Sequence, residues 1–424
     1  MKALLILVGG RPIPNVLTVI HEKPELIVAI CSKESAKREW LDLNQAITRL
    51  LPSCPIEEPD PVDAFEVAEI QDTCEKELLR YPDANWIFNV TTATSLMTLG
   101  AYKAAEKYRR QYKKPIKCWY LNTANTRVIS LIDEDRIDKG TDESIFSIEV
   151  DQYLTAHNYK LLPGNLNIYQ KCYLQDTWLT IAKRLGSNPQ EAYLLKQIMS
   201  EAEKTGNGSP KRAKEGEVEI FKGGYRSEKC TSSEAHNLLK ELEIVGILKK
   251  LRQDSIGLHF TLSERQYKFL NGAWLEIYVY QIAQELGIFH DCEWGQEIAD
   301  NNPKRSVKTS LRYNELDVSM TYKAQLLIAE CKTGKAGLES ETLDNLVTIA
   351  DLLGGKFVGK LLVTNQSMSD DIDPNDIDRK KEMSHNDFLT KADRKGIYVV
   401  TREELPNLSE TLYELATNSK YPRM

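Results

Sequence analysis

The strongest constraint in the 424-residue sequence lies between Asn314 and Lys332. There Asn-Glu-Leu-Asp-Val-Ser-Met-Thr-Tyr is followed, after a short polar turn around Lys323 and Gln325, by Leu-Leu-Ile-Ala-Glu-Cys-Lys. The first run alternates and the second is apolar until Glu330, so the pair reads as the two strands of a β-hairpin. Asp317 on one strand and Glu330 on the next then face a common point. Two carboxylates suit a hard divalent cation such as Mg2+ or Mn2+, with a backbone carbonyl, here that of Cys331, and water completing the shell. Asp317, Glu330 and Cys331 are therefore the candidate metal ligands. A period of two puts Glu330 and Lys332 on the same face, so an ammonium stands where an attacking water and a phosphodiester would meet.

Glu-x-Lys also describes ordinary solvated strand ends, so the flanking segments matter. Gly272 to Leu286 reads as an amphipathic helix in which Glu276 interrupts a largely apolar segment, and a charge placed there needs a partner. Further on, residues 339–353 read as a helix, 357–364 as a strand, 386–395 as a helix and 396–400 as a strand. Asn314, Glu315 and Glu297 are supporting candidates near the hairpin; acids of this kind are mostly solvated surface.

The amino-terminal half has a different rhythm. Leu4–Val8 is an apolar run that stops at Gly9-Gly-Arg-Pro-Ile-Pro-Asn15 before a helix; residues 25–32 form a second run followed by the helical pattern of 33–51. Trp86–Val90 leads into Thr91-Thr-Ala-Thr-Ser and a helix at 96–112. Apolar runs alternating with helices indicate a parallel sheet covered on both faces, whose ligands bind beyond the carboxyl ends of the strands. At those ends stand Gly9, Gly10 and Asn15, then Asn89, Thr91, Thr92, Thr94 and Ser95, and on a third run Asn122. A helix amino-terminus lined by small polar residues seats phosphate, although the same residues also cap helices and shape turns. Neither a dinucleotide GxGxxG loop nor a lysine-bearing phosphate loop is present.

With 42% hydrophobic and 28% charged residues and a net charge of -7, the chain has the composition of a soluble globular protein of two or three units rather than of one that coats nucleic acid. Lys304, Arg305, Lys308 and Arg312 offer a local basic run, which ordinarily is a solvated face. Eight cysteines without paired spacing imply reduced thiols and a cytoplasmic setting, and six dispersed histidines give no zinc pattern. No segment reads as a membrane span, and Met1–Gly10 reads as a buried strand. Residues 201–216 are the clearest loop, and the segments 232–247, 248–251 and 257–262 suggest a small winged-helix-like connector or a spacer.

Residues 271–424 resemble the PD-(D/E)xK restriction-endonuclease fold, with Leu316-Asp317 where the Pro-Asp pair of the name would stand. The resemblance implies Asp317 and Glu330 as metal ligands, Lys332 orienting or activating water, and Glu276 supporting the site from the first helix. Residues 1–150 resemble the CARF domain, the Rossmann-like sensor of cyclic oligoadenylates made by type III CRISPR complexes. Gly9-Gly-Arg-Pro-Ile-Pro-Asn15 and Asn89-Val-Thr-Thr-Ala-Thr-Ser-Leu-Met97 carry it, adding Arg11, Pro12 and Met97 to the candidate ligand contacts. Thr92 and Ala93 replace the glycines usual there, and Ser95 replaces the lysine. Such sensors pair across a twofold axis, so a homodimer is implied.

The expectation is an α/β protein with a CARF sensor at 1–150, a small mixed connector at 151–270 and a PD-(D/E)xK domain at 271–424. Cyclic oligoadenylate, the tetra-adenylate foremost, would activate metal-dependent cleavage of single-stranded RNA or DNA in antiviral defence. A constitutive restriction or repair nuclease and a non-enzymatic, nucleotide-responsive DNA-binding regulator remain as alternatives.

Overall fold

The computed structural model describes residues 1–132, 143–162, 172–205, 219–225, 232–253, 257–300, 314–334, 338–367 and 385–417. Lys304, Arg305, Lys308, Arg312 and most of the 201–216 loop lie outside the described residues.

The first sheet holds β1 (Lys2–Leu7), β2 (Leu26–Ile30), β3 (Ile56–Glu57), β4 (Asn85–Asn89), β5 (Ile116–Asn122) and β6 (Arg127–Ser130), in the order β3-β2-β1-β4-β5-β6. All neighbours run parallel except β5 and β6. Unbroken apolar runs form β1 and β2 because both faces are buried. Leu4 and Ile6 pack with Ile27 and Ala29 on one side, and Ala3, Leu5 and Leu7 with Leu26, Val28 and Ile30 on the other. The order reverses between β1 and β4, which creates the crevice in which doubly wound folds bind ligands. The helix after β1 is Ile13–Glu22, and Pro14 is tolerated in its first turn.

Next in the chain, β7 (Tyr159–Leu162) precedes a three-stranded sheet of β8 (Glu219–Tyr225), β9 (Lys249–Gln253) and β10 (Leu258–Ser263), ordered β8-β10-β9. The last sheet is built from β11 (Asp291–Asp300), β12 (Asn314–Tyr322), β13 (Gln325–Lys332), β14 (Val358–Thr364) and β15 (Ile397–Val400), in the order β15-β14-β13-β12-β11-β7. The β12–β13 hairpin forms as the alternation predicts, with Tyr322 opposite Gln325 and Lys323 in the left-handed region at φ 54°. Neither β11 nor β7 was expected: the polar sequence of β11, interrupted by Gly295, hides its period. Strand β7 comes from the central segment yet pairs antiparallel with β11, so residues 151–270 are shared between the last sheet and the small sheet.

One layer joins the two large sheets. Val16 and Leu17 of the first helix, Leu43 and Ile47 of the helix Glu39–Leu50, and Tyr153 and Leu154 of the helix Val150–Ala156 belong to the same core as Leu316, Leu326, Ile328 and Leu362. A capping box closes the Val150–Ala156 helix, and the Val150 N–H donates to Asp291 Oδ2 at 2.8 Å. The opposite face of the last sheet packs Val318, Met320, Ala329 and Val363 against the helix Trp274–Leu286 and the helices at 176–187 and 189–205. Among the described residues no helix is long and apolar enough to cross a membrane, and the described cysteines are free thiols.

Candidate active site and nucleotide cleft

The β12–β13 ladder ends with Val318 opposite Ala329. Asp317 and Glu330 are the next residue on each strand, where the hairpin splays and leaves room between them. Lys332 Nζ lies 2.5 Å from Glu330 Oε1 and 3.7 Å from Asp317 Oδ2. Asp317 Oδ2 also accepts the Cys331 N–H at 2.7 Å, which fixes the orientation of the carboxylate. The N–H and C=O of one strand residue project to the same edge, so the Cys331 carbonyl turns to this gap as well. Its thiol is buried and held well above the ordinary thiol range by that burial, so position 331 contributes through its backbone.

Glu276 reaches the same site from the helix Trp274–Leu286. Its partner is Trp294 of β11, whose Nε1–H donates to Glu276 Oε2 at 2.9 Å. A π-type turn at Phe269–Ala273 leads into this helix, and the Asn271 carbonyl accepts from Thr333 Oγ1 at 2.6 Å, tying the helix start to the residue after Lys332. Burial pushes the Glu276 carboxyl up to about 7, with Glu315 and Glu330 adding repulsion. Asp317 is likewise raised by burial and then by Glu276 and Glu330. Burial alone would lower the Lys332 ammonium, yet Asp317 and Glu330 hold it above its usual range. Glu315 and Glu297 stand directly opposite each other on β12 and β11, which adds negative charge beside the site.

One lysine thus faces several mutually repelling carboxylates, and a divalent cation fits that imbalance. Among the described residues no three His, Cys, Asp or Glu side chains converge as a metal cage. Two carboxylates and a backbone carbonyl, with water making up the rest, is a set that Mg2+ and Mn2+ accept.

In the sensor domain the predicted residues divide into a buried clamp and an exposed rim. Asn15 and Asn89 are fully buried. Asn89 Nδ2 donates to the Pro14 carbonyl, Asn15 Oδ1 and Thr18 Oγ1 at 2.9, 3.0 and 2.9 Å. Asn15 Nδ2 donates to the Leu7 carbonyl and Thr92 Oγ1, and Thr91 Oγ1 donates to Asn89 Oδ1 while accepting the Leu121 N–H. These groups tie the ends of β1, β4 and β5 together. Gly9 is pressed on the same loop: a Cβ there would lie 1.6 Å from the Thr92 carbonyl oxygen. Thr94 caps the helix Ser95–Tyr112 by accepting the Met97 N–H, Met97 packs in the core, and Pro12 stands immediately before the first helix without a side-chain cap bond. Gly10, Arg11, Thr94 and Ser95 are exposed and Asn122 is half-buried, so they form the rim of the crevice.

Fold and site together place a doubly wound sheet, with a crevice at its switch point, against a carboxylate–lysine hairpin. Residues 263–418 match the family described as Card1-like, endonuclease domain. The protein VC1899 from Vibrio cholerae aligns over 99% of this chain and 98% of its own, with a TM-score of 0.69 at 20% identity. Can2 from Sulfobacillus thermosulfidooxidans, solved in complex with cyclic tetra-adenylate, aligns over 97% of this chain and 96% of its own, with a TM-score of 0.64 at 17% identity. None of the curated proteins matches the sequence. The chain thus shares the two-domain fold of these proteins, a doubly wound sheet followed by a domain that matches the Card1-like endonuclease model.

Sequence reasoning missed Trp294, whose strand has no clear period, and the central helix that borders Thr333 and Gln366. The unpaired charge of Glu276 in an apolar helix was the available signal for a buried donor.

Proposed function

We propose that this chain is a metal-dependent endonuclease that cleaves single-stranded RNA, DNA or both when a cyclic oligoadenylate, the tetra-adenylate foremost, seats across the sensor crevices of two copies, as part of type III CRISPR antiviral defence in the cytoplasm. The observation that carries the reading is Lys332 poised between Asp317 and Glu330 at the splayed end of the β12–β13 hairpin.

Asp317, Glu330 and the Cys331 carbonyl would hold Mn2+ or Mg2+, which supplies Lewis-acid charge and an acidified water when bound. The chain's own residues do the rest. The Cys331 N–H holds the Asp317 carboxylate in one orientation. Lys332, kept fully charged by its two neighbours, offers N–H donors to the phosphate oxygens as negative charge grows in the transition state. Glu276, fixed by Trp294, supports the site from behind. In the sensor, Gly9, Gly10, Arg11, Thr94 and Ser95 would meet the ligand, with Asn15, Asn89, Thr91 and Thr92 holding the strand ends that present them. A cyclic ligand with repeated phosphates matches a twofold site made from two identical crevices, hence the homodimer.

The test is cleavage of single-stranded RNA and of single-stranded and supercoiled DNA with Mn2+, with and without cyclic tri-, tetra- and hexa-adenylate, using Glu330→Ala as the control. Cleavage that requires one ring size and vanishes in the variant supports the reading. Cleavage indifferent to every ring reduces the sensor to a dimerisation platform, and no cleavage at all sinks the nuclease assignment.

A further inference from the structure

The helix Pro189–Thr205 of the central segment carries side chains to which the reading above gives no task. Tyr193 and Lys196 lie one turn apart on it. The Arg402 guanidinium carbon sits 4.3 Å from the Tyr193 ring centroid, and the Lys196 ammonium 5.9 Å from it. Lys196 Nζ donates to Gln366 Oε1 at 2.6 Å, and Gln366 Nε2 donates to the Thr333 carbonyl at 3.0 Å. The Arg402 N–H donates to the Gln366 carbonyl at 3.0 Å. Thr333 follows Lys332 directly, and the Lys332 carbonyl itself accepts from Thr364 Oγ1 at 2.9 Å. A buried glutamine therefore fixes a cation and an aromatic ring to the strand end that bears the candidate catalytic lysine.

We infer that Lys196 and Tyr193 form a seat for the substrate strand beside the scissile phosphate, Lys196 taking a backbone phosphate and Tyr193 a base. Arg402 and Gln366 are positioning residues: Arg402 is buried and braces the ring, whereas Tyr193 and Lys196 are half-exposed. Single-strand sites combine cations that track the backbone with aromatic faces on which bases stack. The carboxylates around Asp317 and the net charge of -7 repel a polyanion, so a strand entering this site needs fixed positive charge next to it. The inference rests on the endonuclease reading above, but its test does not depend on cleavage.

The full-length chain carrying Glu330→Gln, with Mn2+ and cyclic tetra-adenylate, is titrated against short labelled oligouridylate and oligothymidylate by fluorescence anisotropy across a salt series. Lys196→Met, which keeps the apolar stem, weakens binding and lowers the slope of log affinity against log salt by about 0.7, the contribution of one single-strand phosphate contact. Tyr193→Leu weakens binding by about 5- to 150-fold, the range for one stacked base, with the salt slope unchanged. Lys196→Arg keeps the charge and retains the slope. An unchanged slope in Lys196→Met overturns the inference, and so does a lowered slope in Lys196→Arg, which would mean that only the docking of the helix had been disturbed. Wild-type cleavage is measured in parallel: a chain that binds strands through Lys196 but never cleaves sinks the nuclease reading alone, and one that cleaves with a Lys196-independent slope sinks the seat alone.

Discussion

Lys332 and Glu276 are two charged residues for which the same site has opposite consequences. Lys332 is stabilised in its charged form by Asp317 and Glu330, so under the proposed mechanism its loss would remove a donor for developing phosphate charge. Lys332→Ala should lower the single-turnover cleavage rate by about 100- to 1,000-fold at saturating metal and activator, the usual cost of one such donor. Retention of full rate would remove Lys332 from the mechanism. Glu276 is destabilised as an anion, with its carboxyl raised from 4.5 to about 7. Between those values the folded chain holds a proton that the unfolded chain has released, so this group's contribution to stability is present at acid pH and lost as pH rises. Glu276→Gln mimics the protonated form and can still accept from Trp294. In chelator, the melting temperature of the variant relative to wild type should climb as pH is raised from about 4.5 to above 7. Differential scanning calorimetry at stepped pH reads this directly, and a flat difference would show that Glu276 is not the raised acid. The convergence of Asp317, Glu330 and Lys332 was legible in sequence because a strand has period two; the raised carboxyl of Glu276 was not, because it depends on burial in the folded chain and then on Glu315 from another strand.

The elements of the sensor were readable wherever both sheet faces are buried. Leu4–Leu7 and Leu26–Ile30 are apolar throughout, and no other element fits so short an unbroken run between loops. Strand β11 was not readable, because most of its residues are polar and Gly295 interrupts the period, although it lies inside the sheet between β12 and β7. Asn89 shows a subtler limit. The sequence marks it as a polar residue at a strand end, which suits a ligand contact, yet its amide is consumed by Pro14, Asn15 and Thr18 and is fully buried. Asn89→Ala should therefore act first on the fold of the sensor. It leaves a buried carbonyl and hydroxyl to find new partners, at a cost of about 1–3 kcal/mol. Chemical denaturation should show that loss in the absence of any ligand, and ligand affinity should fall with it. A variant of undiminished stability with lost binding would return Asn89 to the ligand surface. Gly9→Ala belongs to the same element and should be the harsher change, since its Cβ would overlap the Thr92 carbonyl and force the two loops apart.

At the scale of the molecule, the doubly wound domain and the Card1-like domain share a core layer, so under the proposed function a signal would not have to cross a flexible linker. The crevice loop touches the nuclease domain directly: the Arg11 guanidinium carbon lies 4.1 Å from the centroid of the Phe357 ring. Phe357 immediately precedes β14, and β14 pairs in register with β13 from Val358 opposite Leu326 to Thr364 opposite Lys332. One strand thus runs from the sensor loop to the candidate catalytic lysine, with no irregularity in its register along the way. This contact was invisible in the sequence, where Arg11 and Phe357 are separated by most of the chain. A cation–π contact is worth about 0.5–2 kcal/mol, which as a coupling between sites corresponds to about 2- to 30-fold. If the Arg11–Phe357 contact holds the Gly9–Pro12 loop in place for the proposed ligand, Phe357→Leu should raise the half-maximal activator concentration for cleavage within that range. Arg11→Ala should raise it too, by more where Arg11 also meets a ligand phosphate. The double variant distinguishes a working contact from two separate defects, because effects of residues that act through each other do not add. If the double variant is no worse than Arg11→Ala alone, Phe357 acts on the activator through Arg11. If the two effects multiply, the contact is incidental packing, and the signal passes through the shared helical layer of Val16, Leu43 and Leu154 instead.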